Sequence, residues 1–202
     1  FQKKMSLVFF LIFFVLSLHG QIVDVCNDSC DWTDPEPNTI LICTNEASLC
    51  RLNCNTGSGQ CIGISIFNAS PQLLVSCDGD NSCPHIRIHC GDIEPPIHIM
   101  QQYALDYEDF TGQVDQCDLK ANSDSINVAQ YAIMSCQGNV INCIAESSTG
   151  NTGSTLNDAQ LHCNHLTAVN SVCQYKCYSA KGCNRNTLYC RTTLNKCSTL
   201  GG

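Results

Sequence analysis

Cys77-Asp-Gly-Asp-Asn-Ser-Cys83-Pro-His-Ile-Arg-Ile-His-Cys90 is the stretch from which the fold of this chain is read. Its first cysteine closes an aliphatic run, Leu73–Cys77 (LLVSC). Asp, Gly and Asn then form a turn, because they reach the backbone conformations that turns need. Cys83 closes that turn. Ile86–Cys90 (IRIHC) follows, with isoleucine on one face and Arg or His on the other, the period of a strand. The unit is a turn stapled by cysteine where one strand leaves and the next begins. It recurs as Cys177-YSAKG-Cys183-NRNTLY-Cys190.

Short aliphatic segments bounded by Gly, Asn, Asp, Ser or Pro extend this reading along the chain. They are Thr39–Cys43, Ile62–Phe67, Ile97–Met100 (IHIM), Ser125–Val128, Ala132–Cys136 and Val140–Cys143. Only Gln101–Phe110 suggests a helix, of two turns. The expectation is an all-β, disulfide-rich stack of short strands. The cysteine spacing carries its own signal. Six pairs stand seven apart: Cys43/Cys50, Cys54/Cys61, Cys83/Cys90, Cys136/Cys143, Cys183/Cys190 and Cys190/Cys197. Chance would give about two.

An extracellular compartment is expected from an apolar run near the start of the sequence and from sulfur. Lys3 and Lys4 precede an apolar run from Leu7 to about Leu18. That run is short for a spanning helix, which needs about 20 residues, and normal for a secretory leader. Residues 1–20 are therefore expected to be a signal peptide, with a signal anchor as the alternative. No second long apolar run follows, so no other span is expected. All 18 cysteines lie beyond the leader, roughly one residue in ten, the density of disulfide scaffolds. An even count in a secreted chain predicts full pairing of Cys26, Cys30, Cys43, Cys50, Cys54, Cys61, Cys77, Cys83, Cys90, Cys117, Cys136, Cys143, Cys163, Cys173, Cys177, Cys183, Cys190 and Cys197. Structural zinc needs paired ligands at short spacing, and the closest cysteine pairs here are C-x3-C. Behind a leader, disulfides are the better reading, and no metal or cofactor is expected. Two sequons, at Asn27 and Asn68, are candidate glycosylation sites.

Charge divides the chain. Without the leader, eight basic residues face 18 acidic ones, a formal −10. Residues 21–158 hold every acid and only Arg51, Arg87 and Lys120; residues 159–202 hold no acid and Lys176, Lys181, Arg185, Arg191 and Lys196. That basic end either binds an anion such as an acidic glycan or docks against the acidic body. The spread of the bases favours docking. An acidic secreted chain is not expected to bind nucleic acid.

The pattern of strand, cysteine, polar turn, Ser-Cys and x-x-Ile-x-Ile-x-Cys resembles uncharacterised cysteine-rich secreted or surface proteins of protists. The resemblance covers about residues 40–145 and 160–197. It implies a right-handed parallel β-helix, a solenoid-like fold, and supplies no catalytic motif. Gln101–Asp124 and Glu146–Asp158 (ESSTGNTGSTLND) interrupt the pattern. Twelve cysteines precede the second break and six follow it, so two stapled β modules, 21–158 and 159–202, are the alternative to one continuous stack.

Candidate sites are few. His85 and His89 on one strand face would stand about 13 Å apart, too far for one metal. His162 and His165 flank Cys163, but two ligands make no zinc site. Asp78-Gly-Asp80-Asn81-Ser82 has the opening of a calcium loop without the Gly and Glu that complete one. Asp106, Glu108 and Asp109, followed by Asp115 and Asp118, are the candidate catalytic acids, since glycoside cleavage needs two carboxylates about 5–9 Å apart. No G-x-S-x-G, phosphate loop or dinucleotide fingerprint occurs. The leading expectation is a structural or adhesive surface protein, without catalysis, whose partner is an extracellular glycan or another surface protein. The alternatives are a carbohydrate-active β-helix enzyme, hydrolase or lyase, and a toxin- or inhibitor-like module at 159–202.

Overall fold

The computed structural model describes residues 21–55, 60–122, 127–147, 155–178, 182–191 and 196–201. The proposed leader lies outside them. In chain order the strands are β1 (Val23–Cys26), β2 (Ser29–Thr33), β3 (Ile40–Cys43), β4 (Leu49–Cys54), β5 (Ser65–Asn68), β6 (Gln72–Cys77), β7 (Arg87–Gly91) and β8 (Val114–Ala121). They continue as β9 (Ile133–Gly138), β10 (Val140–Ser147), β11 (Leu156–Asn157), β12 (Gln160–Leu166), β13 (Val172–Cys177), β14 (Cys183–Asn184), β15 (Thr187–Arg191) and β16 (Lys196–Gly201). The first sheet has the order β1-β3-β5-β7-β9-β12-β15, the second β2-β4-β6-β8-β10-β13-β16. β11 and β14 form a short third ladder. Every pairing is parallel. Seven rungs result, each with one strand in each large sheet. The all-β, disulfide-rich, stacked-strand expectation holds.

In-register pairing lays like on like inside the stack. Leu41, Ile66, Ile88, Met134 and Leu161 form one column from the first sheet. Leu52, Val75, Leu119, Ala145 and Tyr175 form one from the second. All ten are buried. Each large aliphatic side chain removed from water contributes about 1.5–3 kcal/mol.

Consecutive cysteines pair throughout, in nine bridges. Six link the two sheets within a rung: Cys26–Cys30, Cys43–Cys50, Cys90–Cys117, Cys136–Cys143, Cys163–Cys173 and Cys190–Cys197. Three staple the turn that leaves the second sheet: Cys54–Cys61, Cys77–Cys83 and Cys177–Cys183. Four of the seven-spaced pairs are bridges. Cys83/Cys90 and Cys183/Cys190 are not: Cys83 and Cys183 bond back to Cys77 and Cys177, while Cys90 and Cys190 bond across to the second sheet. The basic end supplies β12 and β15 to the first sheet and β13 and β16 to the second, so strand pairing runs on past the Ser/Thr/Gly break. Residues 148–154 of that break lie outside the described residues.

One segment differs in kind from its sequence reading. Ile97–Met100 is not a strand but the start of α1 (Ile97–Tyr103). The Pro96 carbonyl accepts from the amides of Ile99 at 2.8 Å and Met100 at 3.2 Å, which starts the helix. Alternation would have faced Ile97 and Ile99 the same way. The helix instead leaves Ile97 exposed and buries the neighbours Ile99 and Met100. The expected helix over Gln101–Phe110 is split: Ala104, left-handed at φ 53°, ends α1, and a 3₁₀ turn follows at Tyr107–Phe110. Ile99, Met100 and Phe110 cover the outward residues Ile40, Ile42 and Phe67 of the first sheet. Of the expected strand Ser125–Val128, Ser125 and Ile126 lie outside the described residues and Val128 sits in a turn.

Candidate functional site

Six turns enter the first sheet in the same way. Two residues before β3, β5, β7, β9, β12 and β15 stand Asn38, Gly63, His85, Tyr131, Asp158 and Arg185. All six have left-handed backbone, with φ between 53° and 66°. Their amides run up the stack: Asn38 donates to Ile62, Gly63 to Pro84, His85 to Gln130, Tyr131 to Asn157 and Asp158 to Asn184, at 2.8–3.0 Å. Asn and Gly tolerate this conformation. At Gly63 a Cβ would lie 2.5 Å from Asn38 Oδ1, the tip of a side chain that can turn aside, so the positive φ is what favours glycine there. For Tyr131 and Arg185 the conformation costs about 1–2 kcal/mol each. Contacts between rungs offset it: His85 stacks on Tyr131 with centroids 5.1 Å apart, and Arg185 pairs with Asp158 at 2.6 Å.

This column flanks a cavity of about 280 Å³. Its lining is an array of three rungs by two columns. His85, Tyr131 and Asp158 come from the turns; Arg87, Ile133 and Gln160 come from the first outward position of β7, β9 and β12. The middle rung, Tyr131 and Ile133, is apolar, and the rungs on either side are polar. Tyr131 is 45% exposed. A ring of that kind, with a polar tip and an apolar body, suits a ligand that has both faces. The left-handed backbone recurs at all six turns, so it belongs to the way each rung enters the first sheet, and at Tyr131 it sets an exposed ring beside the cavity.

Further along the same face His162 meets Tyr189, centroids 4.5 Å apart, and hydrogen-bonds Gln160 at 3.0 Å. Burial lowers the pKa of His162 below its usual value. His89 lies on Phe67, centroids 4.8 Å apart. Burial first, then the charge of Arg87, lower its pKa to about 4. His85 and His89 thus occupy a turn and a strand, and His165 a left-handed bulge at φ 48°.

The remaining candidates have structural work. The Asp106 side chain accepts from the Glu108 amide at 2.9 Å, and Asp109 accepts from the Asp106 amide at 2.8 Å, a capping box on the 3₁₀ turn. Glu108 contributes its carbonyl to Asn45 and Thr111. Asp78 accepts from Ser76 at 3.3 Å within a turn where Gly79 and Asn81 have positive φ. Lys176 reaches Glu146 at 3.7 Å and Arg185 reaches Asp158, so these two bases dock on body acids. Arg191 is exposed; Lys181 and the side chain of Lys196 lie outside the described residues. Sulfurs of Cys90, Cys117 and Cys136 approach within 4.8 Å because two bridges stack, and no described cysteine is free. Asn27 is exposed. Asn68 is fully buried, with its amide nitrogen donating to the Ser70 carbonyl at 3.1 Å, so the folded chain hides this sequon.

Among the described residues no helix is long and apolar enough to cross a membrane. No protein-family model matches the chain, and no curated protein and no solved structure matches it significantly. The functional reading therefore rests on its own residues.

Proposed function

We propose that this chain is a secreted structural or adhesive surface protein that holds an extracellular glycan without transforming it. The observation that carries the reading is the array around Tyr131: an exposed aromatic and an isoleucine in the middle rung, with Arg87, His85 and Gln160 on either side. A sugar ring has an apolar C–H face for the former and hydroxyls for the latter. The bridges hold both columns on one rigid frame, which keeps the entropic cost of binding low. The capping role of Asp106 and Asp109 favours binding over hydrolysis. Full pairing of the described cysteines and an apolar leader with two lysines before it support export.

The test is affinity chromatography of the oxidised protein on a panel of immobilised polysaccharides, with reducing ends measured in the eluate. Retention without new reducing ends is expected, weakened in Tyr131→Ser. New reducing ends would make it an enzyme. Absence of retention on every polymer would remove the glycan reading.

A further inference from the structure

The outer face of the second sheet carries another three-rung array. Arg51, Leu74 and Asp118 are in register on β4, β6 and β8; two residues on, so are Asn53, Ser76 and Lys120. Ser76 is shorter than Asn53 and Lys120 on either side of it, and a trough of about 180 Å³ lies over these rungs. Asp118 is the one carboxylate among the described residues lining it, and it is only 4% exposed. Its Oδ2 accepts from Gln116 Nε2 at 2.6 Å. Its Oδ1 is buried with no hydrogen-bond partner among the described residues. A buried carboxylate oxygen without a donor is costly and rare. Burial raises the carboxyl's pKa, while Gln116, Lys120 and Lys176 pull it back and Glu146 pushes it further up.

The other lining residues narrow the class of ligand. Arg51 reaches Asp31 at 3.4 Å, and Asn53 donates to the same carboxylate at 2.8 Å, so this end is already neutralised. Lys120 stands in register with Glu146, whose carboxylate pairs with Lys176 at 3.7 Å. A cationic ligand would meet the Lys120 ammonium in the trough; an anionic one would meet Asp118. One carboxylate is too few for a calcium site. What remains is an uncharged donor with an apolar side to lie on Leu74. The trough is smaller than the roughly 300–1,000 Å³ of drug-sized sites, so it holds one small ring.

We propose that Asp118 is the recognition carboxylate of a second binding site, on the second sheet, for one neutral hydroxyl-rich ring, a single pyranose unit of a saccharide. The inference deepens the glycan reading and takes its biological ligand from it, but it uses a different surface, so the two fail separately.

The experiment follows the Asp118 carboxyl and neighbouring amides by NMR while glucose, galactose and mannose are added, with glucosamine and glucuronate as charged comparisons. A neutral hexose is expected to shift these signals saturably, about tenfold more weakly or not at all in Asp118→Asn and in Leu74→Arg. Leu74→Arg fills the trough from an outward position, so it tests the site even if the Asp118 variant were poorly folded. Tyr131→Ser should leave the titration unchanged. The proposal is overturned if no neutral hexose produces an Asp118-dependent shift, if both variants bind as the parent does, or if a charged sugar binds more tightly than every neutral one. Loss of polysaccharide retention with the Asp118 titration intact would overturn only the Tyr131 reading.

Discussion

Asn68 and Leu73 occupy the register positions at which each of the other six rungs carries a cystine. Asn68 lies between Cys43 and Cys90 on the first sheet, and Leu73 between Cys50 and Cys117 on the second. Asn68 fills its place with hydrogen bonds, accepting from Ser70 Oγ at 2.6 Å and donating to the Ser70 carbonyl. Leu73 fills its place by apolar burial. Five residues separate the two, against four for Cys26–Cys30. Asn68→Cys with Leu73→Cys should therefore close a tenth bridge without moving the backbone. The readouts are the loss of two hydrogens by intact mass and, after digestion, a peptide cross-linked between positions 68 and 73. Its chain-entropy gain, about 2 kcal/mol, is offset by the lost leucine burial, so the melting temperature should change little. Free thiols in the double variant would show that the register is wrong.

The native bridges should differ in weight according to the loops they close. Cys90–Cys117 spans 27 residues, including α1, whereas Cys26–Cys30 spans four. Loop-closure entropy gives about 3.5 kcal/mol for the first and about 2 kcal/mol for the second. Replacing both partners by Ala should thus cost roughly 1.5 kcal/mol more at Cys90/Cys117, read from denaturant midpoints. Equal costs would mean that the excursion is held by the packing of Ile99, Met100 and Phe110 alone.

The parts that sequence reading reaches are those where aliphatic residues mark the strand. IRIHC is β7 almost residue for residue. LCRLNC and VCQYKC are equally alternating but show few aliphatics, because sulfur takes the inward places: Cys50, Leu52 and Cys54 are buried while Arg51 and Asn53 point out. Counting Cys as an apolar residue as well as a cross-link brings β4 and β13 into view. The left-handed column is harder. Asn38, Gly63 and Asp158 are ordinary turn residues, but His85, Tyr131 and Arg185 carry no such signal. Unequal excursions between rungs also hide the period. Asp118 could not be picked from the run of acids, since its neighbours, Leu74 on β6 and Ile144 on β10, lie far from it in sequence and are set beside it only by the pairing of strands.

His89 makes stability depend on pH with a definite sign. Its folded pKa is lowered to about 4, against 6.5 in the unfolded chain. The fold holds it neutral, so below pH 6.5 protons bind the unfolded chain preferentially. Its contribution is complete above pH 6.5 and is lost as pH falls toward 4, at most about 3 kcal/mol over that window. His89→Gln should flatten the curve of unfolding free energy there. An unchanged acid slope would assign it to other groups.

Glycan occupancy should also discriminate between the sequons. Expression through a glycosylating secretory route is expected to modify Asn27, which is exposed, and to leave Asn68 bare in the folded product. Peptide mapping with and without glycosidase reads both. A glycan at Asn68 would require that rung to open, and it would be incompatible with the Ser70 contacts.

The Tyr131 turn allows stability and binding to be pulled apart. Glycine adopts φ 56° freely, so Tyr131→Gly relieves about 1 kcal/mol of backbone strain while removing the ring stacked on His85. The variant should unfold within about 1 kcal/mol of the parent yet be retained less on polysaccharide. Tyr131→Val keeps an apolar group but places a β-branched residue at positive φ, and should be destabilised by about 1–2 kcal/mol or more. If Tyr131→Gly kept full retention, the ring would be a turn filler. If retention fell while the fold held, the strain would be the cost of presenting that ring, as expected where an exposed aromatic sits in left-handed backbone at the edge of a cavity.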